Sequence, residues 1–264
     1  MAASSYLYFL ILFWSPVTFA TPSLAKTSFK LKALVLLVSK DPATLIYLTS
    51  IKQRTPPASV RLILDLGGDF VWVDCEKDYV SATYKPCRCN SCKLVDSRNC
   101  FDCLIFQILG CYNNTCALRP SDTVLGKGGS DGQLGQGHLS LHSTDGTYPG
   151  KLVSVPNFLF ICSQTYLLEK LPTGVEGFAG LGRDKIGIPS QFASAFGFSK
   201  KFALCLPSST RSNGAVFFGV GPYVLHPGIS MCQSHLPTPH CFSTFSPQPP
   251  LTWKASLRLN ISST

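Results

Sequence analysis

Charged residues are scarce in this chain of 264 residues. Asp, Glu, Lys and Arg make up 14% of it, whereas typical soluble domains carry about 25%. Acidic residues are the scarcer kind: 14 Asp and Glu stand against 23 Lys and Arg, which gives a net charge of +9 at neutral pH. This composition, rich in Gly and Pro, is more typical of a β-rich extracellular protein than of a helical cytosolic one. The length fits one large domain or two small ones.

Concentrated basic segments are missing as well. The only adjacent basic pair is Lys200–Lys201, and no basic helix with interleaved aromatic residues is present, so nucleic-acid binding is not expected. A diffuse positive charge outside the cell favours acidic partners such as cell-wall polysaccharide. The alternative is that the charge only keeps the protein soluble. The glycine-dense segment 174–182 lacks the GxGxxG pattern of a dinucleotide site, and no cofactor is expected.

The chain has no apolar run long enough to span a membrane. The first twenty residues carry no charge and contain the apolar run Tyr6–Trp14. Pro16 interrupts this run before it reaches the roughly 20 residues that a membrane helix needs, so it predicts a secretory signal peptide. We expect a cleaved signal over residues 1–20, with an alternative cleavage after residue 25. The predicted destination is the extracellular space or the cell wall, without membrane attachment after cleavage.

Cysteine, by contrast, is abundant. Seven of the twelve cysteines lie between Cys87 and Cys116. The pairs Cys89/Cys92 and Cys100/Cys103 could supply four thiolates to zinc, but the pairs are close together for a zinc ribbon. A secreted chain matures in an oxidising compartment, which favours disulfides. We therefore expect disulfides and no metal site, with zinc as the alternative.

Short β-branched runs separated by turn residues predict a mainly β fold. One helix is predicted over Pro189–Phe196, because Pro suits a first helical turn and Gly197 can end the helix. The glycine-rich segment 126–137 predicts a hairpin, and the cysteine-rich segment 84–120 predicts a loop held by disulfides. No regular structure is predicted from about Met231 onward. The predicted strands cover residues 32–38, 45–50, 60–65, 138–142, 153–162, 201–206 and 215–219.

Several long motifs follow one another along the chain: KALVL, KDPATLIYLTSI, QRTP, DLGGDFVWVDCEKDYVSATY, NNTC, GFAGLGR, IPSQFASAF and KFALCL. They resemble the plant extracellular dermal glycoprotein and xyloglucanase-inhibitor group, and more distantly the basic 7S globulins and cereal xylanase inhibitors. The resemblance covers about residues 32–223. It implies a mainly β, pepsin-like aspartic protease fold, with the N-terminal lobe over residues 26–229 and the C-terminal lobe missing. It also implies a secreted inhibitor of microbial glycoside hydrolases without proteolytic activity.

The same resemblance assigns roles to the cysteines and to the glycosylation sequons. It implies that Cys75 pairs with Cys162, that Cys87 is an extra cysteine, and that Cys205 has lost its partner with the second lobe. We therefore expect Cys87 and Cys205 to be unpaired. Two sequons, at Asn113 and more weakly at Asn260, are predicted to be glycosylated. The remaining disulfide cysteines are expected to be Cys89, Cys92, Cys100, Cys103, Cys111 and Cys116.

Asp65 is the candidate catalytic residue, and its surroundings argue against catalysis. Acid proteolysis needs two facing carboxylates, one ionised and one protonated. Active relatives present each Asp in Asp-Thr-Gly or Asp-Ser-Gly, whereas this chain has Asp65, Leu66 and Gly67 and no second such motif. The segment that matches their substrate-clamping hairpin, VLGKGGSDGQLGQG, has no tyrosine. We expect a vestigial Asp65 that accepts backbone hydrogen bonds in its turn; the alternatives are an aspartic endopeptidase or a half-protease that dimerises.

The residues after the matched region have a separate interpretation. The run from Leu236 to Cys241 can be read as an out-of-frame translation of a segment that relatives carry, so residues 230–264 are expected to form a divergent, disordered tail. The inhibitory loops of relatives lie largely in the half that is not matched. The expected function is therefore a secreted binder of glycoside hydrolases, disabled or weakened by truncation, and a product without any partner is the remaining alternative.

Overall fold

The structure, a computed structural model, describes residues 31, 33–95, 100–101, 112–128, 131–146, 148–220 and 242–244, with the backbone alone at 90, 91, 93, 100, 101 and 242–244. The predicted signal peptide, Cys103, Cys111 and Asn260 lie outside these residues. The described chain is mainly β, as predicted, with one helix, α1 (Ile188–Phe196), and two 3₁₀ turns, Cys89–Leu94 and Thr165–Leu168. The strands are β1 (Ala33–Lys40), β2 (Tyr47–Gln53), β3 (Ala58–Asp65), β4 (Val71–Asp74), β5 (Lys85–Pro86), β6 (Cys100–Phe101), β7 (Thr115–Leu118), β8 (Ser121–Asp122), β9 (Lys127–Gly128), β10 (Gly132–Thr144), β11 (Pro149–Ser163), β12 (Gly177–Gly180), β13 (Phe202–Cys205), β14 (Gly214–Gly219) and β15 (Phe242–Thr244).

One large sheet closes on itself. Its strands follow the order β15-β13-β14-β1-β2-β3-β12-β4-β11-β10-β7-β6, with β5 paired to β10. The long strand β10 also pairs with β1, where Thr144 lies opposite Ala33, and with β2, where Leu139 lies opposite Gln53. Because β10 returns to strands at the middle of the order, the sheet forms a barrel. Strands β8 and β9 form a separate hairpin.

The core lies inside this barrel. Alternate residues of β1 (Leu34, Leu36 and Val38) join the main buried cluster, as the period of a strand requires. Phe192 of α1 lies edge-on to Phe218 of β14, with ring centroids 5.1 Å apart. Both side chains are fully buried, and truncation of such an aromatic typically costs about 3–5 kcal/mol.

Helix α1 begins at Ile188, one residue before the predicted start, and ends at Phe196 as predicted. A proline occupies its first turn, and Gly197 adopts a left-handed conformation (φ 69°) while its N–H bonds to Ala193, which is the usual way for glycine to end a helix. Gln191 then ties the helix to β11. Its Oε1 accepts the Leu159 N–H at 2.7 Å, and its Nε2 donates to the Leu159 carbonyl at 2.8 Å. The Gln191 side chain therefore satisfies the backbone N–H and carbonyl of Leu159 in β11.

Glycines in β12 allow the backbones around the barrel to approach closely, as the sequence suggests. A Cβ on Gly177 would collide with the carbonyl oxygen of Trp72, and one on Gly180 would collide with that of Phe70. Strand β12 runs parallel to β3 and antiparallel to β4. The space between these neighbours therefore depends on the missing side chains.

Two sequence predictions are wrong in detail. The hairpin does not span residues 126–137: it spans β8 and β9, and β10 already begins at Gly132. Gly132 and Gly135 provide packing space within β10, since a Cβ at either would clash with Ile161 or Tyr84. The tail is also not without regular structure, because β15 pairs with β13.

The remaining boundaries stay predictions. The lobe predicted over residues 26–229 contains the barrel described here, and its limits rest on the sequence. Within the described residues, no helix is long and apolar enough to cross a membrane.

Candidate functional site

Asp65 stands at the end of β3, where the strand leaves the barrel. It lies opposite Gly180 of the parallel strand β12, and its carbonyl accepts the Leu181 N–H at 2.8 Å. Strand β3 is largely buried, and Asp65 at its end is only 8% exposed. A carboxylate buried to this degree needs hydrogen-bond donors, because desolvation disfavours the ionised form.

Two donors reach the carboxylate of Asp65, one on each oxygen. The Gly67 N–H donates to Oδ1 at 3.0 Å, and the Thr123 hydroxyl donates to Oδ2 at 2.8 Å. Gly68 contributes space rather than a bond, because a Cβ there would lie 2.6 Å from Oδ2. The turn thus supplies one backbone donor to the acid, and a distant hydroxyl supplies the other.

Leu66, the middle residue of the motif, turns toward solvent. It is 40% exposed and has no hydroxyl to bond to a second acid. The reversed motif Thr144-Asp145-Gly146 forms a local turn between β10 and β11, where the Gly146 N–H bonds to the Thr144 hydroxyl at 2.9 Å. Neither arrangement provides the paired carboxylates of an acid protease.

The β8–β9 hairpin presents Thr123 to the acid. Asp122 shapes the tip, because its Oδ1 accepts the N–H groups of Val124 and Leu125 at 2.8 and 2.9 Å. The indole N–H of Trp72 donates to the Ser121 carbonyl at 3.2 Å, and the Lys127 ammonium donates to the Glu169 carbonyl at 2.9 Å. The hairpin is therefore held at both strands and closed over Asp65.

Thr123 is the site residue that the sequence does not reveal. It lies 58 residues from Asp65, and no local pattern links the two. One local signal is present, because Asp122 is followed by three residues and then by Gly126. An aspartate before a turn commonly accepts a hydrogen bond from the backbone N–H two residues on. Such a turn at Asp122 would have placed the hairpin tip at Thr123 to Leu125.

Other acids lie near Asp65. Burial raises the pKa of the Asp69 carboxyl, and the carboxylates of Asp184 and Asp65 raise it further. Asp184 itself accepts the Ile186 N–H at 2.9 Å. No cluster of His, Cys, Asp or Glu among the described residues could hold a metal ion.

Two disulfides are described. Cys75, after β4, is bonded to Cys162 of β11, and Cys92 of the first 3₁₀ turn is bonded to Cys116 of β7; the Cα–Cα distances are 5.2 and 5.7 Å. Cys89 is also disulfide-bonded. Cys92 and Cys89 are thus not thiolates available to zinc, the alternative that the CxxC spacing left open.

The remaining cysteines have different environments. Cys87 carries a free thiol and is half-buried, and burial raises its pKa. Cys205 is buried in β13. Only the backbone of Cys100 is described, where it lies opposite Cys116, so its predicted disulfide remains a prediction.

The sequon at Asn113 lies in an exposed turn before β7. Asn113 and Asn114 are exposed, and Asn114 has a left-handed backbone (φ 58°). Thr115 is buried and its hydroxyl donates to the Tyr112 carbonyl at 3.0 Å. The asparagine is thus accessible, and its glycosylation stays a prediction.

Comparison with known proteins gives one consistent picture. Residues 47–220 match the family model described as xylanase inhibitor N-terminal. A protein of Nicotiana benthamiana named "Probable aspartic proteinase GIP2" is 46% identical over 86% of this chain and 52% of its own length. Gamma conglutin 1 of Prunus dulcis is 40% identical over 87% of this chain and 56% of its own.

Solved structures agree with these relatives. The crystal structure of edgp superposes with a TM-score of 0.72 at 49% identity, over 75% of this chain and 48% of that one. Conglutin gamma, a basic 7S globulin from lupine seeds, gives 0.69 at 39% identity, over 72% and 50%. The chain thus spans about half the length of the relatives that it matches.

Proposed function

The chain belongs to the xylanase-inhibitor N-terminal family, and from this premise we propose that it is a secreted, non-proteolytic protein that binds microbial glycoside hydrolases. Membership confirms the resemblance drawn from the motifs. The mainly β fold is also confirmed, and the chain covers about half of its two-lobed relatives. The lack of proteolytic activity and the binding of glycoside hydrolases are the proposed part.

The state of Asp65 carries the proposal. An acid protease needs a carboxylate that is free to take a proton from water and a second carboxyl to polarise the substrate. Here the Gly67 N–H and the Thr123 hydroxyl each bond one oxygen of Asp65. Leu66 stands where a hydroxyl would support the second acid, and the sequence has no second Asp-Thr-Gly or Asp-Ser-Gly motif to supply that acid. Both donors hold the carboxyl group in a fixed place. Such a group holds the turn and the hairpin together, a structural role.

Binding to a glycoside hydrolase is supported by the family description and by the exposed apolar side chains beside the closed acid. Leu66, Val124 and Leu125 are each 40–45% exposed. The Thr123–Asp65 bond brings the segments that carry them together. A rigid edge of this kind suits a protein partner better than a flexible loop does, because little ordering entropy is lost on binding. The net charge of +9 also favours acidic cell-wall polysaccharide as a weaker partner.

Secretion is part of the same proposal. The apolar segment before residue 20 predicts export, and disulfides are typical of proteins that mature in an oxidising compartment. Expression of the full chain in a plant or yeast host should yield a secreted protein whose first residue is Thr21 or Lys26. Treatment with a glycosidase specific for N-linked glycans should increase its mobility on a gel. Retention of residues 1–20 on a cell-associated product would contradict export.

A binding assay tests the function. The secreted chain is immobilised, and a purified fungal xyloglucan-specific endoglucanase and a fungal xylanase are passed over it, with a bacterial amylase as the negative control. We expect one of the two hemicellulases to bind and the amylase not to bind. Val124→Asp should weaken that binding, whereas Tyr148→Asp, a matched change of an exposed apolar residue at the β10–β11 turn, should not. Equal binding or no binding of all three hydrolases would refute the proposal.

The second candidate is an aspartic endopeptidase. The name of the Nicotiana benthamiana relative favours it, and so does an acid at the end of β3. Its test is cleavage of a denatured protein at acid pH with and without pepstatin. Pepstatin-sensitive cleavage that is lost in Asp65→Asn would establish this candidate over the binder.

A further inference from the structure

Cys87 lies directly across from a disulfide cysteine. The Cys116 N–H donates to the Cys87 carbonyl at 3.0 Å, and the Cys89 N–H donates to the Asn114 carbonyl at 3.0 Å. These two bonds flank the antiparallel bridge between Arg88 and Thr115. The bridge is isolated, and the Cys87 N–H bonds to the Leu134 carbonyl at 2.9 Å rather than to Cys116. The bond from the Cys116 N–H nevertheless places Cys87 beside Cys116, one residue outward from the bridge.

This register gives the two side chains disulfide geometry. Opposed residues of antiparallel strands have Cα atoms about 4.5–5.5 Å apart and side chains on the same face. Cysteines form disulfides when their Cα atoms are about 4.4–6.8 Å apart. The backbone spacing expected for such neighbours is therefore compatible with a Cys87–Cys116 disulfide.

Cys116 is instead bonded to Cys92, and this disulfide lies beside the Cys87 segment. The Cys116 Sγ lies 3.4 Å and the Cys92 Sγ 3.7 Å from the carbonyl oxygen of Arg88, the residue that follows Cys87. Cys92 and Cys116 belong to one buried cluster, and Cys87 packs against it. One free thiol and one disulfide thus share a single small space.

We propose that Cys87, Cys92 and Cys116 form an internal thiol–disulfide exchange site. The thiolate of Cys87 attacks the Sγ of Cys116, the Cys116–Cys92 bond breaks as the Cys87–Cys116 bond forms, and Cys92 leaves as a thiolate. Solvent takes the proton of the Cys87 thiol and returns one to Cys92. One thiol and one disulfide are present before and after, so the step needs no oxidant or reductant.

The exchange changes which segment is disulfide-bonded to β7. In the described state, Cys92 fixes the 3₁₀ turn Cys89–Leu94 to β7. In the exchanged state, the link joins the Cys87 segment to β7, and the end of that turn, which carries the exposed Leu94, is released. The site therefore switches this surface turn between a state held at both Cys89 and Cys92 and a state held at Cys89 alone.

The exchange is expected to be slow at neutral pH. The thiolate is the nucleophile, and burial raises the pKa of the Cys87 thiol. Among the described residues, the titratable group found to interact with Cys87 is the phenol of Tyr84, whose own pKa is raised by burial, so it stays neutral. The rate should rise about tenfold per pH unit until the thiol ionises.

Disulfide mapping of the intact secreted chain tests the proposal. The protein is incubated at two pH values one unit apart without redox reagents, quenched with acid, alkylated and digested with trypsin. Trypsin cuts after Arg88 and Lys93, which separates the peptide of Cys87 from the peptide of Cys89 and Cys92. A second digestion with chymotrypsin cuts after Tyr112, which separates Cys116 from Cys100, Cys103 and Cys111. We expect a new Cys87–Cys116 link and alkylated Cys92 to appear together, about tenfold faster at the higher pH, at a rate independent of protein concentration.

Several results would overturn the proposal. Cys87 alkylated in full at every time, or a rate that scales with protein concentration, contradicts an internal exchange. A second measurement uses Cys92→Ser refolded with oxidised glutathione, in which Cys87 and Cys116 should be linked. The Cys75–Cys162 link reports correct folding of this variant. If that link is present while Cys87 and Cys116 are both alkylated, the geometry inferred from the register is wrong.

Discussion

Two regions of the molecule hold their shape by different means. In the acid–hairpin region, residues 65–68 with 121–128, the links are hydrogen bonds to buried carboxylates and close backbone contacts at glycines. In the cysteine-rich region, the described residues within 84–118, the strands are short and a disulfide joins the 3₁₀ turn to β7. Strands β8 and β9 are also only two residues long, but Asp65 ends the buried barrel strand β3, so the hairpin can rely on weak bonds to the barrel. The cysteine-rich region carries its short strands at the end of the sheet order and is fastened by disulfides.

Among the changes that test this comparison, removal of disulfides should cause the largest loss in the free energy of unfolding. Closure of the 24-residue separation between Cys92 and Cys116 is worth about 3 kcal/mol through the unfolded state, and the 87-residue separation between Cys75 and Cys162 about 4–5 kcal/mol. The variants Cys92→Ala/Cys116→Ala and Cys75→Ala/Cys162→Ala should lose these amounts in denaturant unfolding. Both cysteines of each disulfide are replaced so that its removal leaves no new thiol.

Hydrogen exchange locates the loss. In Cys92→Ala/Cys116→Ala, faster exchange should be confined to the cysteine-rich region, and Gly67 should keep its protection. Equal loss of protection at Gly67 would show that the two regions are one cooperative unit, and the contrast between them would fail.

The Thr123–Asp65 bond is the matching link of the acid–hairpin region. Thr123→Ala leaves a buried carboxylate with one donor, and hydrogen bonds to charged groups contribute about 1.5–3 kcal/mol. We expect a loss of about 2 kcal/mol in the free energy of unfolding and faster proteolytic nicking of the hairpin. Thr123→Ser keeps the hydroxyl and is the matched control, expected to stay within about 0.5 kcal/mol of the natural chain. If both variants behave alike, the hydroxyl does not hold the hairpin.

The contrast also explains what the sequence could predict. Strands such as β3 and β11 and the helix over Pro189–Phe196 could be predicted, because short β-branched runs, turn residues and helix-ending residues are local features of a sequence. The Asp65 turn could be recognised from its glycines. The Thr123–Asp65 contact could not be predicted, since the two residues are 58 positions apart and no local sequence pattern links them.

The misplaced hairpin has a related cause. Glycine density predicted turns across 126–137, but Gly132 and Gly135 serve packing against Ile161 and Tyr84. A glycine required by a turn and one required by a neighbouring side chain look alike in a sequence. Only the partner distinguishes them, and the partner of Gly135 lies across the sheet on another segment.

Asp69, next to the acid–hairpin region, offers a smaller test. Burial and the carboxylates of Asp184 and Asp65 raise its pKa above 3.8 in the folded protein. The folded state therefore binds the proton more tightly than the unfolded state, and stability falls as pH rises from 3.8 through the raised value. Asp69→Asn removes this cost, so it should stabilise the protein at neutral pH, with a gain that disappears well below pH 3.8.

The control for this variant is Glu169→Gln, which removes an exposed carboxylate and should leave the pH profile of stability unchanged. Unfolding midpoints measured from acid to neutral pH give both profiles. A gain from Asp69→Asn that is the same at all pH values would mean that packing, rather than ionisation, distinguishes the two side chains.

The smallest expected effect comes from Leu66→Thr, which restores the Asp-Thr-Gly motif of active relatives. Leu66 is 40% exposed, so stability should change by no more than about 0.5 kcal/mol. We also expect no proteolysis, because the new hydroxyl has no second carboxylate to bond and Thr123 still occupies Oδ2 of Asp65. The measurement is cleavage of a denatured protein at about pH 3–5, the range in which paired aspartates share a proton. Pepstatin-sensitive cleavage that grows with the square of protein concentration would instead show that two copies supply the two acids, and Asp65 would then be half of a catalytic pair rather than a structural residue.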